Sequence, residues 1–151
     1  MDMRAIVVCA LIGVLVSACQ FKVEVGKGPP PIRGNAEFGN VVLATEIDDY
    51  TKEPVTEVTE FPSDVEVMYA TIHVKNVKAG EFRFQWKKGD EDAGAIVMTV
   101  PDIHDNWVST WLEPTTAVPP GNDYSIDVLY NGKVISTATF KVIDSSTADS
   151  T

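Results

Sequence analysis

The residues of this chain that could perform acid–base chemistry are concentrated around one histidine. A short segment contains all three side-chain types of a hydrolytic triad: Asp102, His104, Asp105 and Ser109. A triad, however, is defined by the geometry of its members, and side chains this close in sequence seldom converge correctly. The chain also has no Gly-x-Ser-x-Gly elbow to expose a nucleophile. We therefore predict that the protein is not an enzyme.

The acidic residues could instead bind a hard cation. If neighbouring loops met, the acidic turn 90–92 could join Asp102 and Asp105 around Ca²⁺, which takes roughly 6–8 oxygen ligands. The spacing is not that of an EF-hand, and acidic turns are common on solvated surfaces. Two histidines alone also fall short of a typical zinc site. We predict no metal and no cofactor.

A pair of tryptophans offers a binding surface rather than catalysis. Side chains in a strand alternate between faces, so Trp107, Ser109 and Trp111 share one face. If Val108 and Leu112 on the other face are core, the tryptophans point outward, where they could stack on sugar rings or anchor a protein partner. The alternative is that they pack under the tether or an edge segment, since large apolar residues are usually buried. We take Trp107 and Trp111 as candidate ligand or partner contacts.

The N-terminal segment is typical of a secretory signal, because its uncharged run from Ala5 to Ala18 is shorter than the roughly 20 residues of a membrane-spanning helix. The stretch Val16-Ser17-Ala18-Cys19 resembles the lipobox of bacterial lipoproteins. The resemblance implies that Cys19 carries a diacylglycerol, that the chain is cut before it, and that the new amine is acylated. We therefore predict a signal peptide at residues 1–18 and a lipid anchor to a membrane at Cys19.

The residue after the predicted anchor, Gln20, bears on which membrane would hold the protein. An aspartate there commonly retains lipoproteins at the inner membrane, so Gln20 resembles the outer-membrane case if the cell has two membranes.

The stretch that follows is typical of a tether. Gly26-Lys27-Gly28-Pro29-Pro30-Pro31 combines flexible glycines with stiff prolines, and we assign residues 19–40 to the lipidated cysteine and a tether. The alternative is that Phe21 to Val25 adds a small strand to the domain.

The composition leaves room for one ordinary domain, since the chain has 151 residues with a net charge of −10. The acidic balance argues against nucleic acid and against charge-driven binding to anionic lipids. Cys9 lies in the predicted signal peptide and Cys19 would be lipidated, so the mature domain has no disulfide. Its stability must therefore come from a packed core.

From residue 41 to residue 143 the pattern is one of strands and turns, without helical apolar spacing. The clearest strand is Glu81 to Lys88, in which Phe82, Phe84 and Trp86 alternate with polar residues. The preceding strand offers as its core face Met68, Ala70, Ile72 and Val74.

The last hairpin surrounds Asn131-Gly132, a pair usually assigned to a two-residue turn. A two-residue loop in a regular ladder would put Phe140 on the opposite side from the apolar face of the preceding strand. A three-residue loop would pair Val128 with Val134 and keep both apolar faces together. We therefore predict a three-residue loop with Gly132 in a G1 bulge.

The stretch from Leu112 to Tyr124, in which Pro119-Pro120-Gly121 precedes the tyrosine, resembles the tyrosine corner of immunoglobulin-like and fibronectin type III-like domains. Trp86 resembles their buried tryptophan, although the paired cysteines of antibody domains are absent. The resemblance implies that the Tyr124 hydroxyl bonds to backbone upstream.

We therefore predict an all-β fold: a single immunoglobulin-like antiparallel sandwich of about seven strands at residues 41–144, followed by a disordered tail at 145–151. The predicted function is that of a lipoprotein presenting a binding or assembly module at the cell envelope, to an envelope protein or a glycan. The alternatives are a structural envelope subunit without a small ligand and, less favoured by the residues, a hydrolase.

Overall fold

The computed structural model describes residues 35–147, which form two β-sheets and no α-helix, so the predicted all-β class is confirmed there. No helix within that range is long and apolar enough to cross a bilayer. The predicted signal peptide, Cys19, tether residues 20–34 and tail residues 148–151 lie outside the described residues. The strands are β1 (Glu37–Ile47), β2 (Pro54–Glu57), β3 (Glu60–Pro62), β4 (Met68–Val77), β5 (Gly80–Lys88), β6 (Glu91–Val100), β7 (Ile103–Leu112), β8 (Gly121–Tyr130) and β9 (Lys133–Ile143).

The strands are arranged as a sandwich compatible with an immunoglobulin-like fold. The first sheet has the order β2-β1-β4-β7, and the second has the order β3-β9-β8-β5-β6. Every pairing is antiparallel except that of β3 with β9, which is parallel. The strands number nine rather than about seven, because the stretch between Pro54 and Pro62 contributes one short strand to each sheet.

The described domain is longer at both ends than predicted. Strand β1 begins at Glu37, inside the predicted tether, because Phe38 packs on the rings of Phe82 and Tyr130 at centroid distances of 6.4 and 5.3 Å. Gly39 and Asn40, which the sequence assigned to the tether, fall where the β1–β4 register shifts, so they form an irregularity within the strand. Residues 145–147, predicted as tail, form a 3-10 turn instead.

The core lies between the sheets and has the faces that the alternation predicted. On β4, Met68, Ala70, Ile72 and Val74 are buried, and on β5, Phe82, Phe84 and Trp86 are buried. Phe140 on β9 is the centre of an aromatic cluster. Its ring lies 5.6 Å from Phe61, 5.8 Å from Trp86 and 5.3 Å from Tyr124, measured between centroids. Rings at these distances add attraction beyond the burial of their area.

The predicted tyrosine corner is present. The Tyr124 hydroxyl donates to the Pro119 carbonyl oxygen over 2.6 Å, and the Tyr124 side chain is buried. One residue earlier, the Val118 amide donates to the Ser63 carbonyl oxygen over 2.8 Å. These bonds hold the β7–β8 connection, which crosses from the first sheet to the second.

The predicted three-residue loop of the last hairpin is wrong. Tyr130 pairs with Lys133, and both Asn131 and Gly132 have positive φ, at 48° and 82°, as a two-residue type I′ turn requires. The register shifts just beyond the turn, where Val128 pairs with Ser136 and leaves an extra residue on β9. This bulge restores the common apolar face, so burial decides the register while the turn keeps its preferred form.

Candidate functional site

Strand β7 forms one edge of the first sheet and carries both candidate tryptophans. Val108 and Thr110 are 5% and 2% exposed, so they face the core. Trp107 and Trp111 lie on the opposite face, and each is partly exposed. The sequence therefore identified the correct face of this strand. At a rise of about 3.3 Å per residue, the backbones of the two tryptophans are about 13 Å apart along it.

The neighbouring strand β4 supplies two further rings to this face. Its register pairs His73 with Trp107 and Tyr69 with Trp111. The imidazole of His73 and the indole of Trp107 are in contact, with centroids 5.1 Å apart and planes at 60°. We call the surface formed by Tyr69, His73, Trp107 and Trp111 the aromatic face.

A hydrogen bond and an ion pair meet at one end of the aromatic face. His73 Nε2 donates to Asp105 Oδ1 over 2.7 Å, and Lys75 Nζ lies 3.7 Å from the other oxygen of that carboxylate. The bond orients the imidazole on which Trp107 rests. Alternation along β4 predicts that His73 and Tyr69 share one face. The contact between His73 and Asp105 joins residues that are 32 positions apart in the chain, so it depends on strand pairing and has no signal in the local sequence.

The connection between β1 and β2 covers the middle of the first sheet. Thr71, between Tyr69 and His73, is fully buried, and its hydroxyl donates to the Lys52 carbonyl oxygen over 2.9 Å. The Asp48 carboxylate closes this connection by accepting bonds from the amides of Tyr50 and Thr51, which lower the pKa of Asp48.

Tyr50, at the tip of the same connection, is 92% exposed. It is not among the site residues predicted from the sequence. The sequence feature that could have predicted its exposure is the Asx-type turn from Asp48 to Thr51, because a tyrosine within such a turn projects away from the core. Tyr50 therefore adds a projecting ring on the connection that lies over this sheet.

The rings of the aromatic face offer contacts on which a ligand could stack. Rings that are partly buried against a sheet are held rigidly, so they lose little conformational entropy when a ligand stacks on them. Tyrosine hydroxyl and indole N–H groups at the margin can donate hydrogen bonds that orient such a ligand.

The structure separates several of the residues considered, from the sequence, for a metal site or a triad. His104 and Ser109 lie on opposite faces of β7 by alternation, and Asp105 binds His73 instead. The acidic turn 90–92 and Asp102 lie at opposite ends of β6, about 33 Å apart. Across residues 35–147, no three or more His, Cys, Asp or Glu residues are arranged to hold a metal ion.

A cleft of about 320 Å³ lies between the sheets beside the tyrosine corner. Trp86, Tyr124 and Phe140 line its inner part, and Lys88 lies over the Tyr124 ring with its nitrogen 5.5 Å from the centroid. The indole nitrogen of Trp86 is buried and has no hydrogen-bond partner among the described residues. The lysines and acids that line the cleft balance each other in charge, so it does not favour a charged ligand.

Comparison with known proteins assigns no family to the chain. No protein-family model matches it, and no curated protein matches it. The features of the chain that bear on its function are therefore the aromatic face and the N-terminal motif around Cys19.

Proposed function

We propose that this protein is a lipid-anchored component of the bacterial cell envelope whose sandwich uses the aromatic face to bind an envelope protein or a glycan. The observation that carries the binding role is the position of Trp107 and Trp111, which share the outer face of an edge strand and remain partly exposed. Aromatic residues of this kind are enriched at binding hot spots. Single exposed apolar residues are ordinary, but an aligned set is not.

The anchor is supported by the sequence alone. Val16-Ser17-Ala18-Cys19 has the lipobox order of an aliphatic residue, two small residues and a cysteine. Two or three acyl chains on one residue would hold the protein on a membrane, because each buried CH₂ contributes about 0.8 kcal/mol. The residues between Cys19 and Glu37 could span up to about 55 Å if extended, which is enough to present a domain clear of the bilayer.

The anchor is tested by replacing the sulfur that would carry the lipid. Cys19→Ser should move the protein from the membrane fraction to the soluble fraction and abolish incorporation of labelled palmitate. Cys9→Ser, the only other cysteine substitution available, should change neither measurement if Cys9 is removed with the signal peptide. Unchanged palmitate labelling in Cys19→Ser would refute the anchor.

The binding role is tested on the aromatic face itself. Replacing both Trp107 and Trp111 by threonine, which suits an exposed strand, should abolish binding on an array of envelope glycans or cross-linking to an envelope protein. Replacing Val134, which is 50% exposed on β9 of the second sheet, should leave binding intact. If the unmodified protein binds nothing in either assay, the structural-subunit alternative is favoured. Hydrolytic turnover that disappears with His104→Ala would favour the enzyme alternative.

A further inference from the structure

The two sheets have four edge strands in their strand order. β2 and β3 carry features along their whole length that prevent pairing with another chain, and β7 carries them in its first half only. β2 has four residues and begins with Pro54, and β3 has three residues and ends with Pro62. β7 is longer but places His104 and Asp105 in its first half. Short length, proline and charge are the means by which β-proteins protect their sheet edges.

Strand β6 lacks these features over residues 95–100, which we call the β6 edge. Its sequence, Ala-Ile-Val-Met-Thr-Val, contains no charge, proline or glycine. β6 pairs only with β5, so alternate backbone N–H and C=O groups point away from the sheet. Val97 at its centre is 49% exposed. Such an edge is a template for the addition of another strand.

Charges at the two ends of β6 discriminate between occupants. The acidic turn 90–92 precedes the edge, and Asp102 follows it. In a second copy paired antiparallel about Val97, Asp92 of each copy would be brought toward Asp102 of the other. Two chains of net charge −10 would also repel each other. A second copy is therefore a poor occupant, whereas a strand with basic ends is a good one.

Two nearby lysines offset this acidity only in part, because Lys87 and Lys88 lie beside three carboxylates at residues 90–92. Lys87 pairs in register with Asp92, but its ammonium nitrogen lies 2.7 Å from Asp127 Oδ2 on the face of the sheet. The Asp127 carboxylate is thus satisfied by Lys87, while Asp92 remains exposed at the end of the edge.

We propose that the β6 edge binds an extended segment of another protein as an added strand, with apolar or β-branched residues at its centre and lysine or arginine at both ends. Backbone hydrogen bonds to β6 would supply affinity, and the acidic ends would set register and specificity. The edge belongs to the second sheet and is separate from the aromatic face. If the β6 edge bound no added strand, the proposed function of the aromatic face would therefore be unaffected.

The test measures binding of two synthetic peptides to the full chain, solubilised in mild detergent. The probe is Lys-Arg-Val-Thr-Val-Thr-Val-Arg-Lys, and the comparison peptide has the same centre with Glu and Asp in place of the basic residues. The basic peptide should bind at least tenfold more tightly, and the difference should shrink at high salt. Val97→Lys should weaken its binding at least tenfold. Val134→Lys, at a valine that is 50% exposed on β9, should leave it unchanged.

Hydrogen exchange on the unmodified chain tests the same idea without a substitution. The basic peptide should slow exchange of alternate β6 amides and leave those of β2 and β7 unchanged. Equal binding of the two peptides, or equal effects of Val97→Lys and Val134→Lys, would overturn the proposal. So would protection, before peptide is added, of the β6 amides that point away from β5, or dimerisation of the chain that Val97→Lys abolishes.

Discussion

The tyrosine corner provides the sharpest test of how this domain is held together. Tyr124→Phe removes only the hydroxyl that donates to the Pro119 carbonyl oxygen over 2.6 Å, and leaves the ring stacked on Phe140. Tyr130→Phe is a matched control, because its hydroxyl donates to the Lys78 carbonyl oxygen over 2.8 Å at an exposed position. Both substitutions therefore delete one tyrosine-to-backbone bond and keep the aromatic packing.

The expected magnitude follows from burial. A typical intramolecular hydrogen bond contributes about 0.5–1.5 kcal/mol net, and water replaces it readily where both partners are exposed. Tyr124 is 6% exposed, so we expect Tyr124→Phe to lower the free energy of unfolding by about 1–1.5 kcal/mol. For a domain of this size that corresponds to a fall in Tm of about 4–8 °C. Tyr130→Phe should cost less than about 0.5 kcal/mol.

Urea denaturation followed by tryptophan fluorescence measures both values, with the slope m expected to stay unchanged. Equal losses for the two variants would refute the reasoning, because burial would then make no difference to the bond. A loss below about 0.3 kcal/mol for Tyr124→Phe would show that the corner is a geometric consequence of the fold and contributes little to its stability.

Three further substitutions probe other parts of the domain. Phe140→Ala should lower the free energy of unfolding by about 3–5 kcal/mol in urea titrations, because it opens the aromatic cluster. Gly132→Ala should cost about 1–2 kcal/mol in the same assay, because its φ of 82° is strained for alanine. The Lys87 ammonium holds the pKa of Asp127 below its usual range, so the pair stabilises the fold above the unfolded pKa of about 4. That contribution is lost as the pH falls through the lower folded pKa, so the stability difference between the unmodified protein and Asp127→Asn should shrink as the pH falls below about 4.

Much of the fold could be predicted because its signals are local. Alternation with a period of two assigned Phe82, Phe84 and Trp86 to the core, and burial follows that assignment. The tyrosine corner was predictable for the same reason, since donor and acceptor are five residues apart. The face of β7 that carries Trp107 and Trp111 was also correct, because alternation needs no knowledge of neighbouring strands.

The errors arose where distant strands had to agree. The last hairpin was predicted to gain its register from a longer loop, whereas a bulge after Val134 provides it. Loop-forming residues near Gly39 suggested a tether, but contacts of Phe38 with Tyr130, far along the chain, draw that stretch into β1. Local sequence preference limits the conformations and registers that a segment can adopt, and burial against distant strands selects one of them.

The sequence by itself determined the strand faces, the tyrosine corner and the motif around Cys19, because each depends on residues a few positions apart. Only the tertiary structure decided that His73 supports Trp107 and that β6 is an unprotected edge. The physical reason is that pairing between strands depends on the free energy of the whole sandwich. Local sequence allows several strand registers, but only one of them buries the apolar faces of both sheets against each other.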